Sequence, residues 1–226
     1  SDAQWILGID TLRVNIANQL WTSAEGGLIR KYGDVWDLDS ITLRHGVSKL
    51  MLNGLISNKP GDKVKLEISN LGFPQVMAAL GQRNRLIQGT INGQITGDGI
   101  LNQPNITGDL RIPSLQLDSI VLGDLSVQSS FIPLTNRLML NAHLDKQSGR
   151  PASVTGWLQT NDKSIPCDLQ IKLSGAPLQL LELVLLPNLD SIRGEANAEI
   201  QLTGSLQEPQ MKGTMALNEG RLRVPF

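Results

Sequence analysis

The chain has 226 residues and a formal net charge of -1, so it lacks the positive field with which proteins attract nucleic acid. Aromatic residues make up 4% of the sequence, which argues against a lectin that stacks sugars or a protein that stacks single-stranded bases. The single cysteine, Cys167, excludes an intrachain disulfide and a cysteine-based zinc site. No apolar run approaches the roughly 18 residues of a membrane-spanning helix.

Apolar and polar residues alternate with a period of two along most of the chain. Each such segment has one apolar and one polar face, which is typical of an antiparallel sheet that is open to water on one side. The pattern predicts an all-β fold of ~16 to 18 strands, in which an elongated sheet curls because open sheets of this size twist. The clearest segments are Ile41–Leu43, Leu50–Leu52, Val64–Ile68, Ile106–Ile112, Leu138–Leu144, Leu169–Leu173, Ala196–Leu202 and Met211–Leu217.

Two segments interrupt this alternation and are predicted as short helices. Residues 73–81 have a proline at a plausible first helical position and then good helix formers as far as Gly81. Residues 178–186 are a stronger apolar run, which Pro187 ends. A buried strand is the alternative for such short runs. Each segment is expected to cover one end of a sheet unit.

Part of the sequence occurs twice. Residues 87–117 align without a gap with residues 192–222, and both copies contain Gly-x-Leu-x-x-Pro-x-apolar-x-Gly, at Gly99–Gly108 and Gly204–Gly213. The repeat is too long for a solenoid rung of ~20–45 residues. It predicts three units: a strand set over residues 1–70, a first repeat unit over 71–175 that begins with the helix, and a second, truncated unit over 176–226.

The repeat also decides where a turn lies. Asn92-Gly93 has the composition of a two-residue hairpin turn, but its counterpart Asn197-Ala198 does not. We therefore predict that Gly93 lies within a strand and that the turn runs from Gly97 to Pro104. A glycine on the apolar face has no side chain, so it either lets a neighbouring layer approach closely or leaves a groove. The glycines concerned are Gly93, Gly108 and Gly213.

The sequence contains no catalytic constellation. His45 and His143 lie in strand-like stretches without acidic neighbours at ligand spacing, and we interpret both as polar-face residues. Asp37 and Asp39 share one strand face after Asp34 in a turn, but the other oxygen ligands of a calcium loop are missing. They are interpreted as part of a solvated turn, with weak cation binding as the alternative. We predict no enzyme, no metal site and no cofactor.

The repeated pattern, set in alternating strands and preceded by a short apolar helix, resembles the TamB family of AsmA-like repeat proteins, the translocation and assembly modules. The likeness covers most of the chain, and Leu122–Leu125 and Gly54–Ser57 look most like Bacteroidota forms. It implies a β-taco, a sheet folded into a U-shaped trough, in the periplasm of a Gram-negative cell. Because no secretory signal is present, we expect an internal segment of a longer protein that is anchored in the inner membrane elsewhere.

The resemblance implies two functions and no catalytic residues. In the first, the apolar face is a groove that carries phospholipid acyl chains between the inner and outer membranes. In the second, the protein is a scaffold that assembles or secretes outer-membrane β proteins by edge-strand pairing. An outer-membrane assembly protein of the BamA/TamA type is the implied partner, and nucleic acid is not expected. A purely structural or adhesive module, with an inner face sealed by its own side chains, is a third hypothesis.

The first hypothesis names specific residues. The expected groove lining is Ile91, Ile95, Ile106, Leu110, Ile112, Leu138, Leu140, Leu169, Ile171, Ile200 and Leu202. Small residues would leave room for the acyl chain at Gly93, Gly108, Ala198 and Gly213.

Overall fold

A computed structural model describes residues 4–16, 18–23, 26–79, 87–117, 120–147, 149–162, 164–178, 180, 193–205 and 208–221. Within them, one antiparallel sheet contains 16 strands, and a short helix, α1 (Phe73–Ala79), follows β7. The strands are β1 (Trp5–Gly8), β2 (Leu12–Ile16), β3 (Gln19–Ser23), β4 (Leu28–Tyr32), β5 (Val35–His45), β6 (Ser48–Ile56), β7 (Lys63–Gly72), β8 (Ile87–Gln88), β9 (Thr90–Asp98), β10 (Asn105–Leu117), β11 (Ile120–Ile132), β12 (Arg137–Lys146), β13 (Gly149–Gln159), β14 (Pro166–Pro177), β15 (Arg193–Ser205) and β16 (Pro209–Arg221).

The sheet is a meander from β5 onward. Its order is β5-β6-β7-β9-β10-β11-β12-β13-β14-β15-β16, and β8 pairs with the end of β10. The sheet divides at its other edge. There β4 pairs with the start of β5 and β1 pairs with β4, whereas the β2–β3 hairpin pairs with the end of β5 at Arg44. In the described part of the chain β1 and β16 do not pair, so the sheet stays open.

The strand register confirms that the sheet has one polar and one apolar face. Residues that face each other across strands form continuous rows, and alternate rows point to opposite sides of the sheet. One row is polar from β7 to β16: Glu67, Gln94, Asp109, Gln128, Asn141, Thr155, Gln170, Gln201 and Lys212. The rows beside it consist mainly of Leu, Ile and Val and lie on the opposite face. The fold is therefore all-β, an open and curled antiparallel sheet, as the sequence predicts.

Four of the register shifts in this sheet share one backbone feature. They lie in β5, β7, β10 and β14. At each shift one residue has a positive φ: Ser40 at 58°, Asn70 at 52°, Ser114 at 51° and Gly175 at 57°. An extra residue on one strand bends that strand and increases its twist. The sheet therefore curls at defined positions.

The sequence repeat is also a repeat of backbone structure. At the bulge of β7, the Asn70 N–H donates to Asn92 Oδ1 at 2.9 Å. At the equivalent bulge of β14, the Gly175 N–H donates to Asn197 Oδ1 at 2.8 Å. The repeated asparagine thus has the same role in both copies, since its side chain satisfies an amide that the bulge removes from the strand ladder.

The start of the helical segment repeats as well. The Phe73 N–H donates to the carbonyl of Gly89 at 2.8 Å, and the Leu178 N–H donates to that of Gly194 at 3.0 Å. Helix α1 confirms the helix predicted over residues 73–81. The helix predicted over 178–186 lies outside the described residues except for Leu178 and Leu180. The division into three units stays a prediction.

Two hydrophobic clusters form the core. The first lies under α1 and contains Ile91, Ile112 and Leu144, with Phe73 and Val76 of the helix packed against it. The second lies on β14 and β15. The turn prediction is also confirmed, since Gly93 lies within β9 and the chain turns between Asp98 and Asn105.

Candidate functional site

The apolar face is built from four rows of residues that cross the sheet from β7 to β15. We number them from the hairpin turns towards α1, and neighbouring rows are about 7 Å apart along a strand. Row 1 is Val64, Gly97, Ile106, Phe131, Leu138, Leu158, Cys167 and Gly204; row 2 is Leu66, Ile95, Gly108, Ser129, Leu140, Gly156, Leu169 and Leu202; row 3 is Ile68, Gly93, Leu110, Val127, Ala142, Val154, Ile171 and Ile200; row 4 is Leu71, Ile91, Ile112, Leu125, Leu144, Ala152, Leu173 and Ala198.

The structure brings all eleven predicted lining residues to this one face. Row 1 contains Ile106 and Leu138; row 2 contains Ile95, Leu140, Leu169 and Leu202; row 3 contains Leu110, Ile171 and Ile200; row 4 contains Ile91 and Ile112. The bulges of β7, β10 and β14 do not scatter them, because these bulges lie at the helix end of the strands, beyond row 3.

Burial divides these residues into two groups. Ile91 and Ile112 are 7% and 4% exposed and belong to the core under α1. The four on β14 and β15 (Leu169, Ile171, Ile200 and Leu202) are also buried. The remaining five (Ile95, Ile106, Leu110, Leu138 and Leu140) are only half-buried.

Rows 1 to 3 between β9 and β13 form a surface that we call the open floor. Its larger apolar side chains are Ile95, Ile106, Leu110, Val127, Phe131, Leu138, Leu140, Val154 and Leu158, all half-buried. The sequence analysis missed Val127, Phe131, Val154 and Leu158, because serines and a glycine interrupt the alternation on β11 and β13. Every described strand belongs to the same sheet, so among these residues no second sheet seals the open floor.

The four predicted small positions differ from one another. A methyl group on Gly93 would overlap the carbonyl oxygen of Asp109, and one on Gly213 would overlap that of Glu199. These two glycines therefore permit a close approach of the neighbouring strand. A methyl group on Gly108 would meet side chains only, the Ser129 hydroxyl at 2.8 Å and Ile95 at 3.9 Å, and Ala198 is buried in the second core cluster.

The acidic residues near the start of β5 are paired with an arginine. Arg30 on β4 lies opposite Asp37, and its guanidinium is 3.0 Å from the Asp37 carboxylate and 3.2 Å from that of Asp39. These hydrogen bonds raise the pKa of Arg30, and the one to Asp37 has the larger effect. The pKa of Asp39 is lowered by the hydrogen bond from the Ser40 hydroxyl and then by that from Arg30. The guanidinium supplies the positive charge between the two carboxylates.

We predict that Arg30→Ala raises the pKa of Asp39 towards its ordinary value. Because its pKa is lowered in the folded state, ionised Asp39 stabilises the fold at pH values above its unfolded-state pKa. This stabilisation is lost as the pH falls through the folded-state pKa. The variant should therefore lose less stability on acidification than the parent protein. Carbon-13 NMR titration of the Asp39 carboxyl measures the shift. Arg150→Ala, which removes one of the partners of Asp145, is the control, and an unmoved Asp39 pKa in Arg30→Ala would contradict the pairing.

The other titratable candidates are structural. His143 lies 3.3 Å from the carboxylate of Asp145, so the expected lack of an acidic neighbour was wrong for it. His45 pairs with Ser48 on the apolar face and lies against Trp21, with ring centroids 5.6 Å apart and the rings tilted by 35°, so its polar-face assignment was also wrong. Burial raises the pKa of the Cys167 thiol, and Asp168 adds to the shift, which disfavours a reactive thiolate. Among the described residues, no group of three or more His, Cys, Asp or Glu side chains is placed to hold a metal ion.

Comparison with protein families decides the assignment. A family model described as the TamB C-terminal domain matches residues 45–226. The chain belongs to the TamB family. The match spans the whole open floor, both copies of the repeat and α1. Searches of curated proteins and of solved structures give no match.

Family membership makes this chain part of a cell-envelope protein. The TamB family comprises non-enzymatic transport and assembly modules. None of the helices in the described ranges is both long and apolar enough to cross a bilayer.

Proposed function

We propose that this TamB-family chain conducts phospholipid acyl chains along the open floor, between the inner and outer membranes. The observation that supports the proposal is an apolar surface that crosses five successive strands and is left only half-buried. A structural module would bury such a surface completely, because full burial of an apolar side chain contributes ~1.5–3 kcal/mol and a half-buried one gains only part of it. On the open floor, the remaining free energy of burial is gained when a ligand covers the side chains.

The energetics suit an acyl chain. Moving a chain of ~16 carbons through water costs ~12 kcal/mol at ~0.8 kcal/mol per methylene. Contact with rows 2 and 3 removes much of that cost. The polar headgroup stays in water, since among the described residues no second sheet covers the floor and only the acyl chain lies against it. Transport therefore needs no nucleophile, cofactor or metal.

The position in the cell follows from the same proposal. We place this segment in the periplasm, within a protein that is anchored in the inner membrane elsewhere and meets an outer-membrane assembly protein of the BamA/TamA type. The sheet from β5 to β16 contains eleven strands, which at ~4.8 Å each span about 50 Å. A segment of this length would supply part of a continuous path.

Native mass spectrometry of the full protein, purified gently from its own membranes, tests the proposal. We expect phospholipid to co-purify with the parent protein. The amount should fall in Leu140→Gln, which places an amide on the open floor, and stay unchanged in the matched control Asn141→Gln, which alters the neighbouring polar-face residue. Absence of bound phospholipid from the parent protein, or equal loss in both variants, would contradict the proposal.

The scaffold function has one observation in its favour. In the described residues β16 has no partner on its outer edge, and its Met211, Met215 and Leu217 are 48%, 52% and 53% exposed. An incoming strand of a client protein would pair with that edge. Photo-crosslinkers on β16 should then trap nascent outer-membrane proteins, whereas lipid adducts on the open floor and none with protein on β16 would favour conduction alone.

A further inference from the structure

We infer that Trp5, Lys31 and Trp36 form a binding site for the phosphodiester headgroup of a phospholipid. The acyl chains of the same lipid lie on the adjoining apolar row. This inference rests on the proposed function and specifies where the headgroup is held. The three residues precede residues 45–226, which match the family model, so family membership assigns them no role.

The strand register places the three residues side by side on the apolar face. Lys31 on β4 pairs with Trp5 on β1 and with Trp36 on β5. Trp36 pairs in turn with Ile56 on β6. We call these four residues the rim row, because they lie next to row 1 on the side of the hairpin turns.

Row 1 continues alongside the rim row to the edge of the sheet. Beyond Val64 on β7 it contains Gly54, Leu38, Ile29 and Leu7. Leu38 is 7% exposed, whereas Ile29 is half-buried and Leu7 is 50% exposed. A lipid whose acyl chain lies on Ile29 and Leu7 therefore has its headgroup at the rim row, where the apolar face meets water.

Lys31 is a charged residue on a face that is otherwise apolar. It follows Ile29 at the spacing of two that keeps both side chains on one side of β4, and rows 1 to 4 contain no charged residue. The carboxylates of Asp37 and Asp39 pair with Arg30. Among the described residues, no carboxylate lies within ion-pair distance of Lys31. Its ammonium is therefore available to an anion.

The two indole rings form the walls of this site. Although β4 separates their strands, the rings of Trp5 and Trp36 meet edge to face, with centroids 5.2 Å apart and planes at 79°. The Lys31 ammonium lies 5.2 Å from the centroid of the Trp36 ring, within the range of a cation–π contact. This contact uses none of the three N–H donors in a hydrogen bond, so they can donate to phosphate oxygens.

The combination of one ammonium, two indoles and an apolar row suits a phospholipid. A phosphodiester carries one negative charge and accepts charge-assisted hydrogen bonds. Indole rings favour the boundary between apolar and aqueous surroundings, which is where the headgroup of a lipid joins its acyl chains. A soluble anion would gain from the ammonium alone, because the apolar row offers it nothing. The site therefore favours a phosphate that carries acyl chains over a free one.

Two photoreactive phospholipids that differ only in the position of a diazirine test the site in the full protein. One carries the diazirine in its headgroup and the other in its acyl chain, and adducts formed in phosphatidylglycerol vesicles are mapped by peptide mass spectrometry. We expect headgroup adducts at Trp5, Lys31 and Trp36 and acyl adducts on the open floor. Acyl adducts on the floor without headgroup adducts in the rim row would overturn this inference and leave conduction intact. Absence of acyl adducts from the floor would overturn the proposed function, and the inference with it.

Substitution of the lysine tests its role in holding the headgroup. Lys31→Gln removes the charge, so headgroup adducts at Trp5 and Trp36 should fall several-fold while acyl adducts at Leu110 persist. Lys31→Arg keeps a cation beside the ring and should retain the parental yield. The matched control Lys65→Gln removes a lysine from the polar face of β7 and should change neither set of adducts. An unchanged headgroup yield in Lys31→Gln would overturn the assignment. Loss of the parental headgroup adducts on addition of millimolar inorganic phosphate would also overturn it, because a free anion would then occupy the site as well as a lipid does.

Discussion

Leu110→Asp is expected to abolish phospholipid conduction while the protein stays folded. Leu110 lies on β10 in row 3 of the open floor and is half-buried, so a carboxylate there keeps part of its hydration and the loss of stability should be only about 1–3 kcal/mol. A passing acyl chain must strip that water, and a desolvation cost of about 3 kcal/mol slows passage about a hundredfold. Transfer of labelled phospholipid from inner-membrane to outer-membrane fractions of cells measures the effect.

The matched control for this variant is Gln94→Asp. Gln94 lies on β9 in the polar row beside the floor, so the same charge is added on the other face of the sheet. Ile200→Asp would be a poor test, because Ile200 is 8% exposed in the second core cluster and a charge there threatens the fold. Normal transfer in Leu110→Asp would refute conduction along row 3, and equal loss in Gln94→Asp would point to a general effect of charge.

The pattern of the sequence was sufficient for the fold class and for one face of the sheet. Alternation alone placed Ile95, Leu110 and Leu140 on a shared side, because a strand has a period of two whatever its neighbours are. The repeat located the turn after Asp98, since a strand position must suit both Gly93 and Ala198. These predictions depend on local rules that hold without knowledge of the partner strands.

Which residues of that face are buried and which are half-buried could not be predicted in the same way. Ile112 and Leu110 are equivalent in the sequence pattern, but Ile112 belongs to the buried cluster against which α1 packs, whereas Leu110 is half-buried. His45 continues the alternation of Ile41 and Leu43 and pairs with Ser48 across the turn, so the local pattern itself places it on the apolar face. The sequence alone shows that Asn92 recurs in the second copy. Its role could not be predicted from the sequence, because that role depends on the register shift that the asparagine side chain stabilises.

Glycines on the apolar face have two different physical meanings, which one pair of substitutions separates. We predict that Gly93→Ala destabilises the protein by about 3 kcal/mol, because φ is 142° and the new methyl group would overlap the backbone of β10 at Asp109. Gly108→Ala adds the same methyl group where its one close neighbour is the Ser129 hydroxyl at 2.8 Å, with Ile95 at an ordinary contact distance of 3.9 Å. A side chain can rotate away, and the smaller entropy of the unfolded chain offsets the contact, so we expect a change within about 1 kcal/mol.

Urea unfolding of the two variants measures this difference as a shift of the midpoint at constant slope. The comparison is matched, because both substitutions add one methyl group to a glycine on adjacent strands, next to the backbone of Asp109 in Gly93→Ala and next to the side chain of Ser129 in Gly108→Ala. If Gly93 is required for close strand approach, the two midpoints must differ strongly, and only Gly108 remains as a position that leaves space for an acyl chain. Similar midpoints would show instead that β10 yields to the methyl group, and Gly93 would then count as a vacant position on the open floor.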